Sequence, residues 1–430
     1  MGQIVVYLFF IVVGVYALFR PWIGVCAAYL MVVLTPQSIW PWNFYGIRPF
    51  FYIAVPTFIG FIFLLFRGKI DFSFWKTKIS FFLALTWLFI ILSYFFGPYV
   101  NREHFIFDPQ VIFKQVNKTF FFYFLAVLLI DNPKKLKVLS FVMVLSTIYM
   151  IYWANDQYLS RSYFGRLHGP IPPTGGGIYK DENAFAMLFV TGLPFIYYFG
   201  FLVKKTFLRL LFWLVIPLGW HAVFLTGSRG GLLGLGTTIF TASLRSTHKF
   251  IGFLLIPALI VAYVWQGGSV LKERAKTIKS YEEETSAQSR LYAWSIAIKM
   301  IRDHPFTGVG FSSFMEAFAD YSDRRPMVAH NTFFQLMSES GVFAGLSFIM
   351  LFFFLFKDLF NNKLLIYKDN SPDIFFLCYL NESLFVSFFG FLICSLFLSL
   401  EKFEILFFLF VLANNHIKIS RDLLDSISVT

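Results

Sequence analysis

The sequence predicts an all-α polytopic membrane protein with about 12–13 transmembrane helices and one helical loop subdomain outside them. Three observations predict this class. Of the 430 residues, 58% are hydrophobic and only 14% are charged, whereas soluble domains run at about 45–50% and about 25%. The apolar residues come in runs of about 17–22, the length a helix needs to cross about 30 Å of hydrocarbon. The runs also lack the alternation of barrel strands, which leaves helices as the spanning structure.

In chain order the runs fall at 4–19, 22–36, 49–66, 79–97, 117–131, 137–155, 183–203, 207–225, 230–244, 250–265, 332–356, 374–397 and 403–416. The first two and the last are short for a crossing. No basic stretch precedes the first run in Met1–Gln3, so it is expected to stay as a helix rather than be cleaved as a signal. The chain then divides into helices over 1–265, a loop subdomain at 266–331, and C-terminal helices with a tail at 332–430. Basic residues set the sidedness. Eighteen Lys and Arg fall in the loops around 20, 67–78, 134–137, 204–209, 245–249, 357–368 and 418–421, against nine in the opposite short loops. The richer side reads as cytoplasmic, so 156–182, 266–331 and the turns at Arg102 and Arg229 face outward. The net charge of +12 gathers on no single face, so membrane lipids rather than nucleic acid are the expected neighbours. Cys26, Cys378 and Cys394 lie inside apolar runs and read as small core residues, not a disulfide set or metal site.

Within the outward segment, Ala287, Leu291, Trp294, Ile298 and Ile301 recur at helical spacing. They predict an amphipathic helix from near Ser286 to before Pro305, its apolar stripe on the outer membrane interface. Asp303-His304-Pro305 opens a turn, Gly308 and Gly310 give it backbone freedom, and a second short helix is expected from Ser312 to Tyr321.

The polar residues of these outward segments are candidates for chemistry. His330 opens the helix at Asn331; a neutral imidazole there could take a proton from a hydroxyl, and an interfacial or capping role is the plainer alternative. Arg229, in LTGSRGGLLGL between two apolar runs, is an ionisable group near membrane depth and a candidate anion ligand. A snorkelling arginine is its alternative. Arg290 begins the amphipathic helix and could hold a diphosphate bidentately, or be an ordinary surface arginine. Arg324 and Arg325 fit a solvated basic turn at least as well. Arg166 leads through a Pro/Gly loop to Lys180, Asp181 and Asn183 at a helix mouth, where capping and binding of sugar hydroxyls stand equally. Glu382, in an apolar run, fits helix packing. No P-loop, no G-x-S-x-G elbow and no cluster at metal-ligand spacing occurs, so neither cofactor nor metal is called for.

In order, LTGSRGGLLGL, SRLYAWSIAIKMIRDHPFTGVGFSSF and AHNTFFQLMSESGVFAGL resemble the O-antigen ligase/polymerase family of bacterial envelope glycosyltransferases. That family shows an S-R-G motif, then R-x-x-x-W and HP-x-x-G-x-G, then H-N before an E-x-G-x-x-G-L helix. The resemblance covers about 220–350, and YKDENAFA is similar to the family's D-x-N-x-x-A. RPWIGVCAAYLMVVLTPQSIWPW resembles the N-terminal region of O-glycosylation ligases linked to exosortase systems. The resemblance implies a GT-C-like, multi-pass enzyme of the bacterial inner membrane with its site facing the periplasm. Its donor would be an undecaprenyl-diphosphate-linked glycan, with Arg229 and Arg290 on the diphosphate and His330 as general base, without metal and with inversion. The acceptor would be lipid A core in a ligase, a growing glycan in a polymerase, or Ser/Thr of a protein. Ligation is the leading expectation. A transporter is the alternative from another class, with Glu382 as the one candidate midplane charge.

Overall fold

The computed structural model describes residues 2–103, 108–163, 165–173, 177–245, 249–266, 282–362 and 371–429. Among these the chain is helical, with no strand. The helices are α1 (Gly2–Phe19), α2 (Pro21–Leu34), α3 (Pro36–Ile39), α4 (Pro49–Phe66), α5 (Lys78–Phe96), α6 (Pro109–Leu129), α7 (Pro133–Leu159) and α8 (Glu182–Gly200). They continue as α9 (Thr206–Thr226), α10 (Arg229–Arg245), α11 (Lys249–Gln266), α12 (Glu282–Asp303), α13 (Phe314–Tyr321), α14 (Thr332–Phe360), α15 (Pro372–Ser395) and α16 (Glu404–Val429). Local sequence starts many of them. Pro opens α2, α4, α6, α7 and α15, where its missing N–H costs nothing. The side chains of Asp108, Asn132, Asp181, Asn331 and Ser371 cap the first free amides of α6, α7, α8, α14 and α15, as N-cap residues do.

All thirteen apolar runs fall on helices, and among the described residues ten helical spans are long and apolar enough to cross a membrane. The three others differ for visible reasons. Helix α10 has 17 residues, the apolar stretch of α11 is Leu255–Trp265, and α16 carries Asn414, Asn415 and His416 in its middle. Those three polar residues are fully buried. The Asn415 amide donates to the carbonyls of Val127 (2.9 Å) and Ile130 (2.6 Å), and Asn414 donates to Phe74 (3.1 Å). Asn381 likewise donates to Leu359 (3.1 Å). They therefore satisfy carbonyls where α6, the 72–75 turn and α14 run out of intrahelical donors.

Helices α8 and α15 form the centre: α8 packs on α7, α9, α10 and α15, while α5 lies along α14. Much of the packing is aromatic; Phe352 stacks on Phe391 at 6.0 Å and meets Phe388 edge-on at 6.1 Å. The periphery leaves Ile4, Leu8, Leu214 and Val261 exposed, the apolar outer surface a lipid-embedded bundle requires. Glu382 on α15 makes a bidentate pair with Arg245 at the end of α10, and that guanidinium also covers the Phe385 ring. The carboxylate is a helix-packing group. Cys26, Cys378 and Cys394 are all buried and unbridged.

Outside the bundle, Ala293, Ile296, Ala297 and Met300 of α12 share a small separate core with Tyr99, Val309, Phe314, Phe318 and Ala329. Helix α12 is where the spacing predicts it, but its buried face is not the predicted stripe: Leu291 and Ile298 are 61% and 54% exposed. The helix thus has two apolar faces, one against protein and one left for a lipid interface. Residues 267–281 of the expected loop subdomain lie outside the described residues.

Candidate active site

Three segments meet on the side that the basic residues predict to face outward. The first is the α9–α10 turn. Gly227 takes a left-handed φ of 59°, and Ser228 follows as the cap of α10. Its Oγ accepts from the Gly231 N–H (2.9 Å) and donates to Asn183 Oδ1 (2.7 Å). Arg229 is thereby set as the first residue of α10, with its side chain exposed. Arg166 fastens the same turn from outside: its Nε donates to the Thr226 carbonyl (3.0 Å) and its Nη1 pairs with Glu182 at 2.6 Å. Asp181 caps α8, accepting from the amides of Asn183 (2.6 Å) and Ala184 (3.3 Å). Capping holds for Asp181, Asn183 is tied to Ser228, and Arg166 supports the turn that presents Arg229.

The second and third segments are α12 and the strap before α14. Arg290 and Trp294 are one helical turn apart, so they share a face. Trp294 Nε1 donates to the Ala329 carbonyl (2.9 Å), and the Ala329 N–H donates to Gln335 Oε1 (2.8 Å). On the other side Asn331 caps α14 through the amides of Phe333 and Phe334, both 3.0 Å, and donates to the Leu396 carbonyl (3.0 Å). His330 is held between these two clamps at φ 49°, a left-handed conformation that costs a non-glycine residue about 1–2 kcal/mol. Such strain persists only where the surroundings over-determine it.

Electrostatics ties the segments together. The His330 imidazole is held below its ordinary 6.5, first by burial and then by the Arg290 charge, while Asp181 acts in the opposite direction. Arg290 is itself lowered by burial and then by Arg229. Arg290 thus feels Arg229 on one side and His330 on the other, which places all three in one electrostatic neighbourhood. Lys180 is exposed close by. Arg324 lies over the Tyr292 ring (4.0 Å) and Arg325 is exposed, as a solvated basic turn would be.

The support behind the strap escaped sequence reasoning. Helix α14 breaks at Gly341 (φ 85°, ψ 166°), and the freed carbonyls of Ser338 and Glu339 accept from Val309 (2.8 Å) and Gly310 (3.1 Å). The Val342 N–H in turn donates to Pro305 (2.8 Å). The His-Pro-Phe-Thr-Gly-Val-Gly segment is therefore a docking loop seated in a broken helix. A Cβ on Gly341 would stand 2.1 Å from the Phe306 carbonyl oxygen, and one on Gly308 2.4 Å from the Glu339 backbone. The buried Glu339 carboxylate accepts from Gln335 (2.7 Å) and the Ser312 amide (3.1 Å) and pairs with Lys402 at 3.4 Å. Neighbouring Glu401 is pushed up to about 7 by burial, against the pull of Lys402. An acid inside the apolar run after Asn331 is the one sequence signal that points to this hub.

Adjoining the strap is a cavity of about 1210 Å³ between α2, α4, α6, the mouth of α8 and residues 399–407. Its wall includes Lys180, Asp181 and Lys402 but not Arg229, Arg290 or His330. It therefore lies beside the Arg/His cluster, with Asp181 common to both.

Residues 210–349 match a family model described as O-antigen ligase. The likeness to O-antigen ligases covers that segment, about a third of the chain. No curated protein matches the chain. The matched segment runs from within α9 to within α14 and so holds Arg229, Arg290, His330 and Glu339. Asp181, Asn183 and the cavity's N-terminal walls belong to the remainder. Among the described residues ten helices are long and apolar enough to cross a membrane, so the segment similar to O-antigen ligases sits within a multi-pass membrane protein.

Proposed function

We propose that the protein transfers a glycan from an undecaprenyl-diphosphate donor to an acceptor hydroxyl at the periplasmic face of the bacterial inner membrane, and that the acceptor is lipid A core. The observation that carries this reading is the convergence of Arg229, Arg290 and a strained His330 whose charged form is disfavoured within the segment that matches the O-antigen ligase model. The acceptor oxygen attacks the anomeric carbon from the face opposite the diphosphate. His330 takes the hydroxyl proton, the new C–O bond forms, and the bond to the diphosphate oxygen breaks with inversion. Arg229 and Arg290 hold the diphosphate and stabilise the charge that grows on it; one such well-placed donor supplies about 3–4 kcal/mol. Burial and the Arg290 charge disfavour the imidazolium, which favours the form that can accept a proton. The cytoplasmic excess of Lys and Arg supports the outward placement.

The test is transfer by purified full-length protein in EDTA, with lipid A core, a second lipid-linked glycan and a Ser-rich peptide offered in parallel. Lipid A core is expected to be the productive acceptor, with rates about 10²–10⁴-fold lower in His330→Ala. Productive transfer to the second glycan instead makes the enzyme a polymerase, and to the peptide a protein O-oligosaccharyltransferase. A His330→Ala protein as fast as wild type overturns the base assignment. Loss of activity on chelation overturns the metal-free mechanism. Folded protein that transfers to none of the three returns weight to transport.

A further inference from the structure

The cavity beside the strap has a charge pattern that the diphosphate and base assignments leave unused. Its outer wall carries Arg48 at the mouth of α4, Lys114 and Lys118 on α6, and Lys180 before α8. All four side chains are exposed to the cavity or its mouth. Among the described residues none of the four pairs with a carboxylate. The acids on the same wall are all engaged. Asp181 caps α8, Glu182 pairs with Arg166 and Glu401 with Lys402, and Glu404 accepts from Gln115 at 2.8 Å. Lys114 and Lys118 are four residues apart on one helix, about 6 Å along its axis, an arrangement that like charges disfavour. The same cavity is also lined by Tyr29, Phe50, Ile112, Phe122, Phe403 and Phe407, an apolar share of its wall.

The cavity is also linked to His330 in two ways. Asp181 lies on its wall and its charge acts on His330. Leu400, also on the wall, donates its N–H to Thr332 Oγ1 (3.0 Å), two residues after His330 at the start of α14, and that hydroxyl donates to the Leu398 carbonyl (2.7 Å).

We propose that this cavity is the acceptor site, and that it selects an anionic glycolipid whose phosphate or carboxylate groups meet Arg48, Lys114, Lys118 and Lys180 while its lipid rests on the aromatic part of the wall. The proposal rests on the transfer reaction above and adds its acceptor chemistry. Unpaired cations in a partly apolar wall suit an amphiphile with several negative charges. A neutral peptide would leave them unanswered. The diphosphate of the donor is provided for separately, at Arg229 and Arg290 beyond Asp181.

Two measurements on full-length protein in neutral-lipid nanodiscs test it. The first is transfer kinetics with a phosphorylated core glycolipid and with the same glycolipid after phosphatase treatment. Wild type is expected to show a KM about tenfold lower for the phosphorylated form. Lys114→Gln/Lys118→Gln should erase that difference, and Lys114→Arg/Lys118→Arg should restore it. Equal KM values for the two acceptors in wild type overturn the proposal. So does a Gln variant whose KM rises for the donor instead, since the cavity then holds donor. The second is direct binding of the phosphorylated glycolipid by native mass spectrometry, with no donor present. Binding that survives His330→Ala and is lost in the Gln variant supports the cavity even where transfer fails, which separates this proposal from the reaction on which it rests. No binding to wild type overturns it.

Discussion

Two regions of the bundle handle buried polarity in opposite ways. On the side that the basic residues predict to face inward, Arg245 and Glu382 neutralise each other, and Asn381, Asn414 and Asn415 each donate to the carbonyls of a neighbouring element. Each of these groups completes a partner's hydrogen bonding. On the side that the basic residues predict to face outward, the Arg229 charge disfavours that of Arg290, a histidine is held in a left-handed conformation, a helix is broken at Gly341, and four cations line a cavity whose acids are engaged by other groups. Both regions are polar at or near membrane depth. Strain and repulsion separate them: the inward groups stabilise a packed bundle, and the outward groups combine a repelled charge at Arg290 with a left-handed His330 and a broken helix.

The largest effect should come from breaking the inward pairing. Glu382→Ala leaves Arg245 half-buried and uncompensated and is expected to cost about 3–5 kcal/mol, while Arg245→Met with Glu382→Leu should come close to neutral. Thermal unfolding in detergent checks both. A Glu382→Ala protein that melts like wild type but no longer transfers glycan would move the inward pair into the functional class and break the comparison.

Next in size is Gly341→Ala, which forces a Cβ towards the Phe306 carbonyl at a positive φ and unseats the docking loop. We expect a loss of about 3 kcal/mol, together with weaker hydrogen-exchange protection at Val309 and Gly310. Unchanged protection there would mean that the loop does not depend on the broken helix. A smaller effect of opposite sign sharpens the contrast. His330→Gly removes the left-handed strain, so the melting temperature should rise by the equivalent of about 1 kcal/mol while transfer is lost. A melting temperature that falls would show that the His330 ring stabilises the fold by packing.

These expectations also mark what the sequence could and could not carry. All thirteen apolar runs become helices because length and hydropathy are local properties, and α12 and α13 follow from helical spacing in the same way. Arg229, Arg290 and His330 stood out as ionisable groups in an apolar chain, and the structure brings them into one electrostatic neighbourhood. The Gly341 break and its docked loop were not legible, because they depend on backbone hydrogen bonds between residues about thirty positions apart, which no periodicity encodes. The buried face of α12 was missed because Ala293 and Ala297 are too small to mark a stripe. The cavity was missed because Arg48, Lys114, Lys118 and Lys180 come from separate loops and helices that only packing assembles.

The most direct test of the central claim, that His330 is the base and works in the fields of Arg290 and Asp181, is the pH–rate profile of transfer. Its acid limb reports the base in the free enzyme and should lie below the ordinary histidine value of 6.5, since burial and Arg290 both disfavour the imidazolium. Arg290→Gln removes a repelling positive charge and should move the limb to higher pH. Asp181→Asn removes an attracting negative charge and should move it to lower pH. Opposite displacements in the two variants are the predicted result; a limb that stays in place in both would contradict the assignment of His330 as base.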